Sequence, residues 1–394
     1  MSKWNTIKLS ECCSSIADGD HQPPPKAESG IPFVTIANIT STNQFDFSDT
    51  LHVPQEYYDA LDDKRKAKPG DILYSVVGSF GIPVLIKQER SFVFQRHIAI
   101  LRPVEKLIDP RFLYYTMLSR NFYEKADAAA IGAAQRTVSL NALRNITIDI
   151  PLLTEQRRIS DILSAYDDLI ETNQRQIKLL EEAAQRLYKE WFVDLRYPGH
   201  ENVPVVNDVP EGWKKQKLEE IAVVIMGQSP KSEFYNHNQE GLPFHQGVGS
   251  YGYRFVVDET YSTSFTRIAP SNSILFSIRA PVGRLNITKN KIVIGRGLAA
   301  MSHRDGMQSF LFYLLKEHFF KENMIGNGSI FASISKDELL GQVFLIPPFD
   351  LIARFNLIAS HIDEQISALD TMISLQFEAR DRLLPKLMSG ELAV

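Results

Sequence analysis

The sequence is written twice. Trp4, followed by Lys8-Leu9 and Ile16, returns as Trp213, Lys217-Leu218 and Ile221. Gly30-Ile31-Pro32-Phe33 returns as Gly241-Leu242-Pro243-Phe244, and Asp71-Ile72-Leu73 with Gly81 as Ser273-Ile274-Leu275 with Gly283. Arg96 with Ile98-Ala99 aligns with Arg296 and Leu298-Ala299, and Ile150-Pro151 with Ile346-Pro347. The offset falls from 209 residues (Trp4 to Trp213) to 196 (Ile150 to Ile346), as loops of different length on one scaffold require. Self-similarity over this period makes each copy a structural unit of its own. A chain of 394 residues has room for two such units.

Each copy follows one plan. Short apolar or alternating runs come first: Phe33–Ile39, Ile72–Val77, Val84–Ile86 and His97–Leu101 in copy one, punctuated by Gly and Pro as strands and turns require. The spacing then predicts a short helix, Arg111–Ser119 in copy one and Met307–His318 in copy two. An Ile-Pro step follows, then a long helix with Thr154 or Asp350 as N-cap. The first long helix, Glu155 to about Leu195, carries apolar residues at steps of three and four: Ile159, Ile162, Tyr166, Leu169, Asn173, Ile177, Leu180, Ala184, Leu187 and Trp191. The second repeats the pattern at Phe355, Ile358, Ile362, Ile366, Leu369, Ile373, Phe377, Leu384 and Leu387, with a break expected at Pro385. A helix of such length spans roughly 60 Å at about 1.5 Å per residue, and this spacing is a coiled-coil seam. Two matching seams suit antiparallel pairing with each other. The expected architecture is α+β: two similar strand-rich domains, 1–150 and 199–346, separated by two long helices, 151–198 and 347–394, packed as an antiparallel coiled coil.

The net charge of −4 argues against a nucleic-acid partner only as an average. Residues 64–144 hold 14 basic and 6 acidic groups, and 254–304 hold 8 and 2. Local fields of this kind hold phosphates even on an acidic chain. Cys12 and Cys13 are adjacent, without a C-x-x-C pair or His cluster, which excludes a disulfide scaffold and a zinc finger. A reducing, cytoplasmic setting is therefore expected. No apolar stretch reaches the roughly 18 residues of a membrane span, and no signal-peptide core is evident.

Several motifs mimic catalytic ones. Gly247-Val248-Gly249-Ser250-Tyr251-Gly252 spells the dinucleotide fingerprint, but aromatic and β-branched residues follow it where a helix should begin. Ile346-Pro347-Pro348-Phe349 matches the N-P-P-[YF] motif of amino-methyltransferases except at its first position, where Ile346 cannot hydrogen-bond an amine. Asp62-Asp63-Lys64 lacks the upstream half of a nuclease metal site. No Gly precedes a Lys, and no H-E-x-x-H or G-x-S-x-G occurs, so neither a Walker loop nor a zinc or serine hydrolase signature is present. No catalytic or metal residues are expected.

The positive signal is surface recognition of duplex DNA. Arg forks grip phosphates and guanine edges bidentately, and amide and aromatic side chains complete base contacts. In copy one the candidates are Arg65, Lys66, Lys68, Gln95, Arg96, Gln135 and Arg136. In copy two they are Tyr251, Tyr253, Arg254, Arg279, Arg284 and Arg296. No RNA-stacking motif is visible, which favours the double helix.

Two loop-variable domains, each followed by an Ile-Pro step and a long helix, resemble the specificity subunit of type I restriction–modification systems over the whole chain. The most specific matches are Ile150-Pro151-Leu152 leading into Glu155-Gln156-Arg157-Arg158-Ile159, and Ile346-Pro347-Pro348 before the second helix. Gly70-Asp71-Ile72-Leu73 and the closing Leu383-Leu384-Pro385-Lys386-Leu387-Met388-Ser389-Gly390-Glu391-Leu392 also match. Leu351-Ile352 departs from the usual Glu-Gln pair. The resemblance implies a non-catalytic subunit whose two target-recognition domains each read half of a split, asymmetric DNA site, with the helices as spacer. It implies two modification (methyltransferase) subunits and restriction (translocase/endonuclease) subunits as partners. The cofactors S-adenosylmethionine, ATP and Mg²⁺ belong to those partners, none to this chain. The competing expectations are a stand-alone DNA methyltransferase, for which the motifs above are missing, and a coiled-coil scaffold that binds no DNA.

Overall fold

A computed structural model of the chain describes residues 4–19, 24–40, 42–133, 135–319 and 333–394. The chain divides into two compact units, Met1–Asn173 with Thr371–Val394, and Gln174–Asp370. Each long helix therefore gives half of its length to each unit.

The first unit is built on a four-stranded antiparallel sheet, in the order Cys13–Asp18, Ile98–Pro103, Ile72–Ser75, Pro83–Leu85. A three-stranded sheet, Leu51–Val53, Ile31–Val34, Val93–Phe94, adds one parallel pair. Asn5–Lys8 pairs with Thr147–Ile150, closing the domain just before the central helix. The second unit repeats this wiring. Ala222–Met226, Leu298–His303, Ile274–Ser277 and Leu285–Ile287 form the antiparallel sheet, and Lys214–Lys217 pairs with Val343–Ile346. Its second, five-stranded sheet again holds one parallel pair, Leu242–His245 with Ile292–Ile294. The duplication read from the sequence is thus a duplication of topology. The strands run shorter than the apolar runs predicted: Phe33–Ile39 splits into a strand and a 3-10 turn, Ile36–Asn38, which Asn38 closes by accepting the Thr35 N–H at 2.9 Å.

The short helix Pro110–Leu118 starts where Asp109 accepts the Arg111 and Phe112 N–H groups and Pro110 takes the first turn. A second helix, Arg120–Ala129, follows at once; its polar composition hid it from the periodicity argument. In the other copy the helix is Gln308–Phe319.

The central helix runs Leu153–Phe192 and the C-terminal helix Phe349–Met388. Both begin one residue before the predicted caps, because the carbonyls of Leu152 and Pro348 already accept the first helical N–H bonds. The buried seam of the central helix is a strict heptad, Leu163, Ile170, Ile177, Ala184 and Trp191, flanked by Ile159 and Tyr188. Leu169 and Ile358, predicted on the seams, face solvent instead. Pro385 does not break the C-terminal helix, which continues one more turn to Met388. The helix then ends at Gly390, in the left-handed conformation that glycine adopts at no steric cost.

The helices run antiparallel within each unit. In the first, Asp167 meets Arg380 at 2.7 Å and Asn173 meets Gln376 at 3.1 Å. In the second, Tyr188, Trp191 and Phe192 stack edge-on or tilted around Phe355, with ring centroids 5.1–6.0 Å apart. The repeated tryptophans have one job. Trp4 packs on the tail of the C-terminal helix at Gly390, and Trp213 on the tail of the central helix at Phe192.

Gln156 docks the central helix onto its domain. Its side chain is buried; Oε1 accepts the Asp109 N–H at 2.9 Å, and Nε2 donates to the Pro151 and Leu107 carbonyls at 3.0 and 3.3 Å. At the matching place in the second copy stands Ile352, also buried. The departure from the Glu-Gln pair thus replaces a hydrogen-bonded dock by an apolar one.

Candidate nucleic-acid interface

Exposed arginines of each unit, Arg96 and Arg136 in one and Arg279 and Arg296 in the other, lie where strands of the main sheet give way to loops. In the first unit Ile72–Ser75 leads into the 76–81 loop, and the Val76 N–H donates to the His97 carbonyl at 2.8 Å. That bond sets this loop beside the Gln95-Arg96-His97 turn. From the other side, Gly78 N–H donates to Arg136 O at 3.0 Å, and Val77 bridges to Thr137. Three segments distant in sequence therefore present Arg96, Gln135 and Arg136 on one surface, all three exposed. Burial and the neighbouring Arg96 charge depress the His97 pKa below the usual imidazole value, so the positive charge in this turn is that of Arg96 alone at neutral pH. The Arg136 guanidinium itself pairs with Asp127, 3.0 Å away.

The basic run of the same unit has a more local part to play. Arg65 lies 3.7 Å from Asp18, Lys66 donates to the Asp59 carbonyl at 2.9 Å, and Lys68 to Asp63 at 2.8 Å. These contacts fold a 3-10 turn, Asp63–Arg65, against the sheet. Surface pairs of this kind are weak and yield readily to a phosphate. Lys64, Arg65 and Arg144 line a groove of about 590 Å³ along the Cys13–Asp18 strand.

The second unit builds the same loop cluster. Ile278 N–H donates to Gly297 O at 3.0 Å, which sets the Arg279 loop beside the Gly295-Arg296-Gly297 turn. Arg279 and Arg296 are both exposed, and no carboxylate pairs with either among the described residues. Glycine is required on both sides of Arg296, since a Cβ at 295 or 297 would sit 2.5 Å from the Gln246 side chain or carbonyl. Ser229 holds the turn by accepting the Arg296 N–H at 3.2 Å and donating to Gln246 at 2.7 Å. Ser229 and Gln246 escaped the sequence reading; only their position opposite Gly295 and Gly297 marks them.

Two expected DNA contacts are overturned. Arg254 is 2% exposed, its guanidinium 3.3 Å from Glu181, 2.5 Å from Asp363, and flat on the Phe312 ring at 3.6 Å. It bolts the domain to the two helices within this unit and has no face left for DNA. Tyr251 turns its hydroxyl inward, and its ring packs on the core of Ala269, Leu275 and Ile294. Charge and aromatic clustering reads alike whether a side chain faces solvent or a carboxylate far away in sequence, which is why both were misplaced. Beneath them lies a cavity of about 380 Å³, lined by Tyr253, Arg284, Asn286 and Lys316 among others. Burial pushes the Lys316 pKa down there. Arg284 and Tyr253 are exposed at its mouth. Gln95 is only half-buried under the Arg96 turn, where its N–H donates to the Val34 carbonyl at 3.1 Å.

The glycine motif at 247–252 opens a 3-10 turn, Val248–Ser250, and not a helix. Among the described residues no group of three or more His, Cys, Asp or Glu side chains could hold a metal ion, and no helix is long and apolar enough to cross a membrane.

The family model for the type I restriction modification DNA specificity domain matches residues 1–182 and again 210–355. A putative type I restriction enzyme MjaX specificity subunit of Methanocaldococcus jannaschii is 29% identical, over 99% of this chain and 94% of its own length. The type I restriction enzyme HindI specificity subunit of Haemophilus influenzae is 21% identical, over 84% and 88%. The crystal structure of the type I restriction-modification S subunit from M. genitalium matches 98% of this chain and 96% of that one, with a TM-score of 0.57 at 16% identity, which speaks for the fold alone. Doubled topology, doubled loop clusters and a doubled family match coincide, and the chain belongs to the type I restriction-modification DNA specificity family.

Proposed function

We propose that this chain is the specificity subunit that reads a bipartite, asymmetric duplex DNA site for a cytoplasmic type I restriction–modification complex. One observation carries the reading: the same turn of the two copies presents an exposed arginine, Arg96 in one unit and Arg296 in the other, next to a loop that carries further polar reach. Each unit then reads one half-site, and joining the two on one chain turns two modest affinities into a strong one through effective concentration. The chain itself takes no catalytic step and binds no cofactor. Two modification subunits supply S-adenosylmethionine chemistry, and restriction subunits supply ATP- and Mg²⁺-dependent translocation and cleavage.

Selection from a randomised duplex pool, with the full chain and its modification subunits, tests the reading. Two short fixed motifs with an unspecified gap should emerge, and binding should weaken steeply with salt as phosphate counterions are released. Arg96→Ala should relax base preference in one half and Arg296→Ala in the other, each lost guanine contact costing about 1–3 kcal/mol. An enriched pool with a single contiguous motif, or with none, contradicts the proposal. Methyl transfer by the isolated, demonstrably pure chain contradicts its non-catalytic part.

A further inference from the structure

The parallel pair of the two copies differs at a buried position. In the first unit the parallel pair sets Phe33 opposite Val93 and Val34 opposite Phe94; in the second, Phe244 faces Val293 and His245 faces Ile294. His245 thus stands where the other copy has Val34, and each carbonyl accepts the N–H of the following turn, from Gly295 and Gln95 respectively. Val34 is fully buried and His245 is 1% exposed. An imidazole in that place must be hydrogen-bonded or it destabilises the core. It is bonded on both sides: Nδ1 lies 2.8 Å from Ser250 Oγ, and Nε2 lies 2.9 Å from Asp258 Oδ1. Because a carboxylate only accepts, Nε2–H donates to Asp258.

These partners are the two arms of one excursion. Phe244 N–H donates to Thr260 O at 2.7 Å, Val257 N–H to Ser250 O at 2.9 Å, and Gly252 N–H to Phe255 O at 3.0 Å. Between the base and the arms, residues 246–249 bulge out. The bulge lies against the Arg296 turn, because Gly297 N–H donates to Gln246 O at 3.2 Å. Gly247 and Gly249 sit in it with no heavy atom of the described residues within 4 Å of where a Cβ would be, and neither has a positive φ. Neither packing nor backbone conformation asks for glycine there. What glycine does supply is a bare backbone that another molecule can approach closely. A Ser-His-Asp set in a cleft would suggest a nucleophile, but Ser250 Oγ also lies 3.3 Å from Gly247 O and the imidazole has no open side. Its chemistry is that of a strut.

We infer that the Gly247–Gly249 backbone is a DNA-reading surface beside Arg296, and that His245, through Ser250 and Asp258, is the positioning residue that holds it at reading distance. The inference rests on the proposed function, and names the element that decides specificity in one half-site. Unit 1 has no such strut, so its half-site is read without one.

The test uses the full chain assembled with its modification subunits, and Arg296→Ala to define which half-site belongs to this unit. Gly249→Leu should weaken binding of the selected site at least tenfold while its melting temperature stays that of the wild type, since the added side chain meets only open space. His245→Val, which installs the residue of the other copy, should lower base discrimination about tenfold in the same half and leave the other half intact. Ser250→Ala removes one arm of the strut while Asp258 still holds the imidazole, and should move discrimination in the same direction should the valine variant fold poorly. Wild-type binding by Gly249→Leu overturns the reading surface, and unchanged discrimination in Ser250→Ala overturns the strut. A wild-type chain that shows no base preference at all removes the proposed function itself, and the inference with it.

Discussion

Tyr115 donates its hydroxyl to Asp167 at 2.6 Å, fastening the short helix of the first domain to the central helix. The second copy repeats the bond between Tyr313 and Asp363 at 3.1 Å, this time to the C-terminal helix. Each aspartate also takes a buried or half-buried arginine, Arg380 on Asp167 and Arg254 on Asp363. One rule therefore joins domain to helix in both units: a tyrosine from the domain and an arginine share a helix carboxylate.

Tyr115→Phe should lower stability by about 1.5–3 kcal/mol, the usual worth of a hydrogen bond to a charged group. Chemical denaturation of the variant beside the wild type measures it. A change below about 0.5 kcal/mol would mean that Arg380 alone satisfies Asp167.

Tyr74→Phe should behave oppositely. The Tyr74 hydroxyl is buried without a partner among the described residues, so its removal also removes a desolvated polar group. Stability equal to or above the wild type is expected from the same denaturation curves. A loss of more than about 1 kcal/mol would show that the hydroxyl is bonded in solution.

Alkaline pH should unfold the chain. Burial holds the Tyr74, Tyr114, Tyr115, Tyr188, Tyr251 and Tyr313 hydroxyls above the ordinary phenol range. Above pH about 10 the unfolded chain releases these protons while the folded chain keeps them, so the unfolded state binds fewer protons and stability falls as pH rises. Each such tyrosine contributes a slope of up to about 1.4 kcal/mol per pH unit in that window, and below it their effect is fully retained. Melting temperatures between pH 8 and about 11 should stay level and then drop. Tyrosinate absorbance that rises for all tyrosines before unfolding would contradict this.

Arg254→Ala should cost about 3–5 kcal/mol, because it strands the largely buried carboxylates of Glu181 and Asp363. Arg279→Ala and Arg296→Ala should change stability by no more than about 0.5 kcal/mol and act on DNA binding instead. Melting and binding measured on all three variants separate the roles. A stable Arg254→Ala with altered base preference would return that residue to the DNA surface.

The duplication was legible because strand spacing, Gly-Pro turns and the Ile-Pro step are short-range features that survive as patterns. Those patterns also placed Arg96 and Arg296 in equivalent turns and gave both long helices within a few residues. The seam was legible only in outline. Choosing between Leu163 and Leu169, or between Phe355 and Ile358, needs the partner surface, since steps of three and four are equally helical and only packing decides which face is covered. Pro385 misled for a related reason: one missing N–H near a helix end frees a single carbonyl, and the packed Leu384 and Leu387 hold the last turn in place.

By itself, then, the sequence determined two copies of one strand-rich plan, two long amphipathic helices, and local excesses of positive charge on an acidic chain. Only the tertiary structure decided which charges are surface and which are bolts. Arg254 lies 73 residues from Glu181 and 109 from Asp363. No local pattern can announce that its charge will be spent on them, because burial depends on where distant segments of the chain come to rest. The same holds for His245, which reads as one more polar residue until the parallel strands set it in the place of Val34. Its two hydrogen bonds then become the condition for its burial.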